Sequence, residues 1–231
     1  MTKAYRMEGN WLTMLNIAID GPAGAGKSTV AKKISSTLGI IYLDTGAMYR
    51  AVALKAIRSG IDTSDAAGLS SLVRDIDIRI EYRGTEQRIF LDGDDISGQI
   101  RTPDVSIGAS NVAVIPAVRI KLVELQRDIA NAHDVVMDGR DIGTYVLPHA
   151  KYKFFITASL EERAKRRYNE LLASGMNGST FEEVLKDISF RDKNDSSRAF
   201  APLSRAHDAL EIDTTGMNPQ EVADKILSYI K

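Results

Sequence analysis

Lys27, Ser28 and Thr29 close a loop with glycine at positions 21, 24 and 26, and Gly21-Pro22-Ala23-Gly24-Ala25-Gly26-Lys27-Ser28 fits the pattern GxxxxGK followed by Ser or Thr. Each part suits a polyphosphate. The glycines let successive backbone N–H groups curl around phosphate oxygens with no Cβ in the way. A helix starting near Lys27 points its positive end at the anion. The Lys27 ammonium follows the β- and γ-phosphates, and the Ser28 hydroxyl can ligate Mg²⁺.

Arginines form the second chemical set. Arg50, Arg101, Arg119, Arg140, Arg163, Arg166, Arg167, Arg191, Arg198 and Arg205 mostly lie outside the apolar strand-like runs. A guanidinium is a planar, permanently charged fork suited to phosphate. A second anionic substrate facing the P-loop accounts for them. Ion pairing with surface Asp and Glu is the alternative, and it stays open for Arg163, Arg166 and Arg205. Arg50 and Arg140 each follow the carboxyl end of a strand, where α/β sheets bind ligands. Phosphoryl transfer to an acceptor that is already an anion needs alignment and charge neutralisation, not a general base. The three histidines, His133, His149 and His207, have no metal-ligand spacing.

Alternating strands and helices must position these groups. Leu15 to Asp20 reads as a strand running into the glycine loop, and Ser28 to Leu38 as a helix with Val30, Ile34 and Leu38 on one face, ended by Gly39. Ile40 to Leu43 is a second strand, and Asp44-Thr45-Gly46 caps a helix carrying Met48, Val52 and Leu54. Val135 to Met137, Tyr152 to Thr157 and Leu210 to Asp213 give three more strands, and Pro219 to Ile230 a last helix with Val222, Ile226, Leu227 and Ile230 inward. This rhythm means a parallel sheet with helices on both faces. Two regions break it. Ile76 to Ser97 alternates apolar and polar residues around Arg83-Gly84-Thr85, an antiparallel hairpin with one wet face. Glu161 to Leu203 is helical, arginine-rich and interrupted at Gly175 to Gly178, and it is expected to close as a mobile lid that excludes water.

Composition narrows the class further. The chain has 231 residues, 44% hydrophobic and 26% charged, with a formal net charge of -1. That size buries a substantial core, and the charge balance argues against a nucleic-acid or membrane binder. With no cysteine there are no disulfides or thiolate sites. No apolar stretch reaches the ~20 residues of a membrane span, and Met1 to Met14 lacks the apolar stretch of a secretory signal. A cytoplasmic monomer is the expectation. A regulatory GTPase requires NKxD. The nearest stretch, Asp192-Lys193-Asn194-Asp195, carries Asp in place of Asn within the arginine-rich helical region.

GPAGAGKST, LDTGAMYR (Leu43 to Arg50), SGQIRTPDV (Ser97 to Val105), DGRDIGT (Asp138 to Thr144) and RDKNDSSRAFAPL (Arg191 to Leu203) together resemble the bacterial cytidylate kinases, over essentially everything from Leu15 onward. The resemblance implies a three-layer P-loop kinase fold: a five-stranded parallel sheet, an inserted nucleoside monophosphate lobe with a small antiparallel sheet, and a helical lid. Its boundaries would be an extension at 1–14, core at 15–44, monophosphate lobe at 45–132, core at 133–160, lid at 161–203 and core at 204–231. It implies Mg-dependent transfer of the ATP γ-phosphoryl to CMP or dCMP. ATP would lie on Gly21 to Thr29, with Mg²⁺ on Ser28. Lys27, Arg140 and Arg191 would be catalytic, and Arg50, Arg140 and Arg191 would hold the CMP phosphate. Thr45, where the family often has Ser, would sit near the acceptor sugar. Ser110, Arg119 and Asp141 would read cytosine, and Asp195 and Arg198 would contact the ribose. A carboxylate with an arginine complements the cytosine edge, whereas uracil would set O4 against Asp141, a polar mismatch worth up to ~10⁴-fold. The nearest rival is the same chemistry on UMP, AMP or a shikimate-like acceptor; a nucleotide-switch module is more distant.

Overall fold

The structure, a computed structural model, describes residues 14–84, 86–175 and 178–230. The expected N-terminal extension lies outside the described residues except for Met14. The first half runs β1 (Asn16–Asp20), α1 (Lys27–Leu38), β2 (Ile41–Asp44), α2 (Thr45–Arg58), α3 (Ala66–Leu72), β3 (Ile78–Arg83), β4 (Glu86–Leu91), β5 (Asp94–Asp95), α4 (Pro103–Val112) and α5 (Pro116–Ala132). The second runs β6 (Val135–Gly139), a π-helical turn (Ile142–Val146), β7 (Tyr152–Thr157), α6 (Leu160–Ala173), α7 (Phe181–Ser197), β8 (Leu210–Asp213) and α8 (Pro219–Leu227).

Five strands form a parallel sheet in the order β2-β6-β1-β7-β8, as the alternating pattern predicts. Successive residues of β1 go to opposite faces: Ile17 and Ile19 join one buried cluster and Ala18 the other. β6 does the same, with Val136 on the first face and Val135 and Met137 on the second. Val30 and Ile34 of α1 with Val222 and Ile226 of α8 cover the first face. Met48 and Val52 of α2 with Leu122 of α5 cover the second. Each fully buried aliphatic side chain contributes about 1.5–3 kcal/mol, so apolar cover on both faces is what holds the three layers together.

The insertion is a separate antiparallel sheet, β3-β4-β5. It lies against the edge strand β2, where Tyr82 Oη donates to the Tyr42 carbonyl at 3.1 Å and the Asp44 N–H donates to Gln87 Oε1 at 2.8 Å. These bonds occupy backbone groups that an exposed edge would offer to another chain. Helices α6 and α7 have their own small core of Ala164, Leu171, Val184 and Ile188.

Two expected boundaries shift. The region 161–203 is not helical to its end: α7 stops at Ser197, and Ala201 adopts φ 47°. Helix α8 ends at Leu227 rather than Ile230, because the Tyr229 and Ile230 N–H groups bond carbonyls three residues back, a tightened final turn. For the site, register matters most. Asp20 lies beside Gly139, and Asp44 beside Asp138, so three adjacent strands end in acidic or glycine residues along one carboxyl edge.

Candidate active site

A cleft of about 940 Å³ lies along that edge, lined by Ala23 to Val30 together with Arg119, Asp141 and Arg198. Gly24 and Gly26 adopt φ 75° and 88°, turning the loop into the first residue of α1. Gly21 and Pro22 stay out of the cleft lining. Gly21 packs instead beneath the loop at φ 146°, where any Cβ would collide with the Ile156 carbonyl of β7.

Lys27 is buried, and its Nζ donates to the Pro22 carbonyl at 2.7 Å. Burial first, and then Arg140, pull its pKa down to about 7, against the opposite pull of Asp138, Asp195 and Asp20. Ser28 Oγ donates to Asp138 Oδ2 and Tyr42 Oη to Asp138 Oδ1, both at 2.8 Å. Burial and the neighbouring Asp44 raise the Asp138 carboxyl above the usual range. Among the described residues no three His, Cys, Asp or Glu side chains group to hold a metal. A hydroxyl beside one carboxylate is the sparse donor set that suits Mg²⁺ sharing its remaining ligands with phosphates and water.

Helix α2 lines another part of the cleft. Asp44 caps this helix, its Oδ1 accepting from the Ala47 N–H at 3.0 Å, while its Oδ2 accepts from Arg50 Nη2 at 2.7 Å. Arg50 Nε is buried without a protein partner. Thr45 Oγ1 donates to the Asp138 carbonyl at 2.7 Å. Arg140 Nε donates to Asp195 Oδ2 at 2.6 Å. Burial alone would raise the Asp195 carboxyl, but Arg140 and Arg198 outweigh it and hold it below the usual range. Among the described residues Arg191 pairs only with Asp187, at 3.8 Å, and burial with Arg140 nearby lowers its pKa.

Deeper in, Arg119 is fully buried on α5 and pairs with Asp141, whose other oxygen accepts from Arg198 at 3.2 Å. The Arg119 guanidinium also lies 5.6 Å from the Tyr49 ring centroid and 5.9 Å from that of Phe200. Ser110 lines the same pocket, and its Oγ accepts from Asn194 at 3.3 Å. The acceptor residues predicted from sequence, Thr45, Arg50, Ser110, Arg119, Arg140, Asp141, Arg191, Asp195 and Arg198, all line the one cleft that also holds Lys27.

Some arginines serve otherwise. Arg163 is buried; it donates to the Ala23 carbonyl at 2.9 Å and to Asp192 at 2.6 Å, bracing α6 and α7 against the glycine loop. Arg166 ties Glu162 to the Thr214 carbonyl. Arg205 pairs with exposed Glu211. The sequence reading gave no site role to Asp138, Tyr49 or Asp44. Asp138 and Asp44 had a signal, an acid closing an apolar strand; Tyr49 had none beyond its place before Arg50.

The family model for cytidylate kinase matches residues 17–231. A cytidylate kinase of Clostridioides difficile is 51% identical over 216 residues, spanning 94% of this chain and 98% of that protein. One of Halalkalibacterium halodurans is 48% identical over 217 residues, spanning 94% and 97%. Among solved structures, an uncharacterized protein from Eubacterium ventriosum aligns with a TM-score of 0.52 at 15% identity, over 94% of this chain and 98% of that one, a likeness of fold alone.

Proposed function

The chain belongs to the cytidylate kinase family and is a nucleoside monophosphate kinase, a phosphotransferase, and from that premise we propose how its cleft divides between two nucleotides. ATP lies along Ala23 to Thr29, cradled by main-chain N–H groups, with Gly21 and Pro22 shaping the loop from below. CMP or dCMP lies opposite. Arg50, Arg140 and Arg191 hold its phosphate, Thr45, Asp195 and Arg198 face its sugar, and Ser110, Arg119 and Asp141 face its base. An oxygen of the CMP phosphate attacks the γ-phosphorus, the new O–P bond forms as the bond to the β-phosphate oxygen breaks, and ADP leaves with the electron pair.

Lys27 and Arg140 neutralise charge spreading over the transferred group. Ser28 and Asp138 would hold Mg²⁺, and the ion, when bound, would supply positive charge that screens the donor phosphates. Helices α6 and α7 act as the lid over the insertion-bearing monophosphate lobe, and the balanced composition supports a cytoplasmic monomer. Among the described residues no single helix is long and apolar enough to cross a membrane.

One observation carries the base assignment: a carboxylate held from two sides by buried guanidiniums, Arg119–Asp141–Arg198, in the same cleft that holds Lys27. Polar groups fixed this way discriminate through mismatch, because a wrong partner leaves them unpaired. The test is ADP release with CMP, dCMP, UMP, AMP and shikimate as acceptors, for the native protein and Asp141→Ala. CMP and dCMP are expected to be turned over far faster than the others, and Asp141→Ala to lose that preference while keeping its ATP KM. Equal turnover of UMP by the native protein would overturn the base assignment.

A further inference from the structure

We infer that Asp20 is a positioning residue for the acceptor pocket: it caps the π-helical turn Ile142–Val146 from another strand, and so leaves Asp141 available to the substrate base. The inference rests on the proposed role of Asp141. The turn begins with unpaired amides, as every helical segment does. Asp141 stands at its N-cap position, where an aspartate ordinarily accepts from the amides one turn ahead. It makes no such bond. Its two carboxylate oxygens go to Arg119 and Arg198 instead.

The amides are satisfied from β1. The Ile142 N–H donates to Asp20 Oδ1 at 2.8 Å and the Gly143 N–H to Asp20 Oδ2 at 2.7 Å. Asp20 is 4% exposed and sits beside Gly139 in the parallel register. Among the described residues no other side chain accepts from these two amides. A buried amide left unbonded is costly, so without Asp20 these amides would compete for the carboxylate of Asp141, which precedes them in the chain. Turning toward those amides would take Asp141 off both arginines.

Asp20 also immediately precedes Gly21, so one residue ties the start of the ATP loop to the loop that carries Arg140 and Asp141. Burial pushes its carboxyl up to about 6 even though both backbone bonds pull it down. A carboxylate is retained in an unfavourable position, consistent with work that an apolar residue cannot do. The Gly143 position is tight as well: a Cβ there would come 3.3 Å from Asp20 Oδ2 and 3.2 Å from Lys153 Cδ.

The experiment compares Asp20→Asn, Gly143→Ala and Asp141→Ala with the native protein, measuring KM for CMP and ATP separately and the CMP-over-UMP ratio of kcat/KM. Asn at 20 keeps one acceptor and sets an NH₂ against the other amide. It should raise the CMP KM and lower the CMP-over-UMP ratio by about tenfold each, with the ATP KM within about twofold. Gly143→Ala, which only crowds the same contact, should shift both in the same direction by less, and it serves as the test if Asp20→Asn fails to fold. If Asp141→Ala loses the preference while Asp20→Asn and Gly143→Ala keep it, the positioning role is overturned and the base assignment survives. If Asp141→Ala keeps the preference, the base assignment falls and this inference with it. An equal rise in both KM values for Asp20→Asn would mean that Asp20 merely supports the fold.

Discussion

Replacing Arg119 by methionine keeps most of the buried stem and removes the charge. Arg119 is 0% exposed, pairs with Asp141, donates to the Ala113 carbonyl at 3.3 Å and faces the Tyr49 and Phe200 rings. Breaking an isolated buried ion pair costs ~3–5 kcal/mol because the surviving charge is stranded. Asp141 is not stranded here, since Arg198 still donates to it at 3.2 Å. We therefore expect about 2 kcal/mol, which for a chain of this length is a fall in Tm of about 4–8 °C. The substrate effect should be larger on one side only. Losing a charge-assisted contact to the base should raise the CMP KM about tenfold or more, with the ATP KM nearly constant. Arg119→Lys should regain part of the stability and, on the proposed base contact, little of the CMP affinity, because a point charge lacks the planar fork needed to serve Asp141 and a base together. Thermal denaturation with steady-state kinetics on both substrates checks this. Equal changes in the two KM values, or full kinetic rescue by lysine, would refute the reasoning.

Two further outcomes follow from the donor side. Burial and Arg140 pull the Lys27 pKa down to about 7, whereas bound polyphosphate favours the ammonium, so ATP binding at pH 8 should be accompanied by net proton uptake. Calorimetry in two buffers of different ionisation enthalpy reads this directly, and the uptake should vanish at pH 6 and in Lys27→Met. Gly21→Ala should lower Tm by about 10 °C or more, because its Cβ would strike the Ile156 carbonyl at φ 146°. Gly39→Ala, at φ 67° with open space around it, should cost only about 1 kcal/mol; similar losses at the two positions would argue against backbone collision as the cause.

Much of the fold was legible because its signals are local. The apolar strand-like run ending at Asp20, the apolar run YKFFIT and the Gly39 stop each depend on a few neighbours. The hairpin around residues 83 to 86 was equally plain from its alternation. The glycine loop carried its chemistry in spacing alone. Arg163 was not legible, since pairing with Asp192 and capping the Ala23 carbonyl requires α6, α7 and the loop to meet. The end of α8 was missed because its apolar face continues to Ile230 while the backbone tightens after Leu227. Asp138 stood in view at the end of a strand, but its tie to Ser28 depends on which strand lies beside β1, and sheet order is not written in any one segment.

That non-local part also decides how the arginines act. Arg50, Arg119, Arg140 and Arg198 each already donate to a carboxylate: Asp44, Asp141, Asp195 and Asp141 in turn. The carboxylates hold the forks in place, which lowers the entropy lost when an anion docks, but each also competes with that anion for donors. Arg191 differs. Its nearest carboxylate is 3.8 Å away, and both Arg140 and Arg50 disfavour its charge. Crowded like charges in a buried cleft are most relieved where an anion comes between them, which supports the proposed placing of the CMP phosphate among Arg50, Arg140 and Arg191. Removing Arg191 relaxes that crowding while removing transition-state neutralisation. Arg191→Ala should therefore depress kcat more than it raises the KM of either nucleotide, and a loss confined to KM would place the transferring phosphate elsewhere.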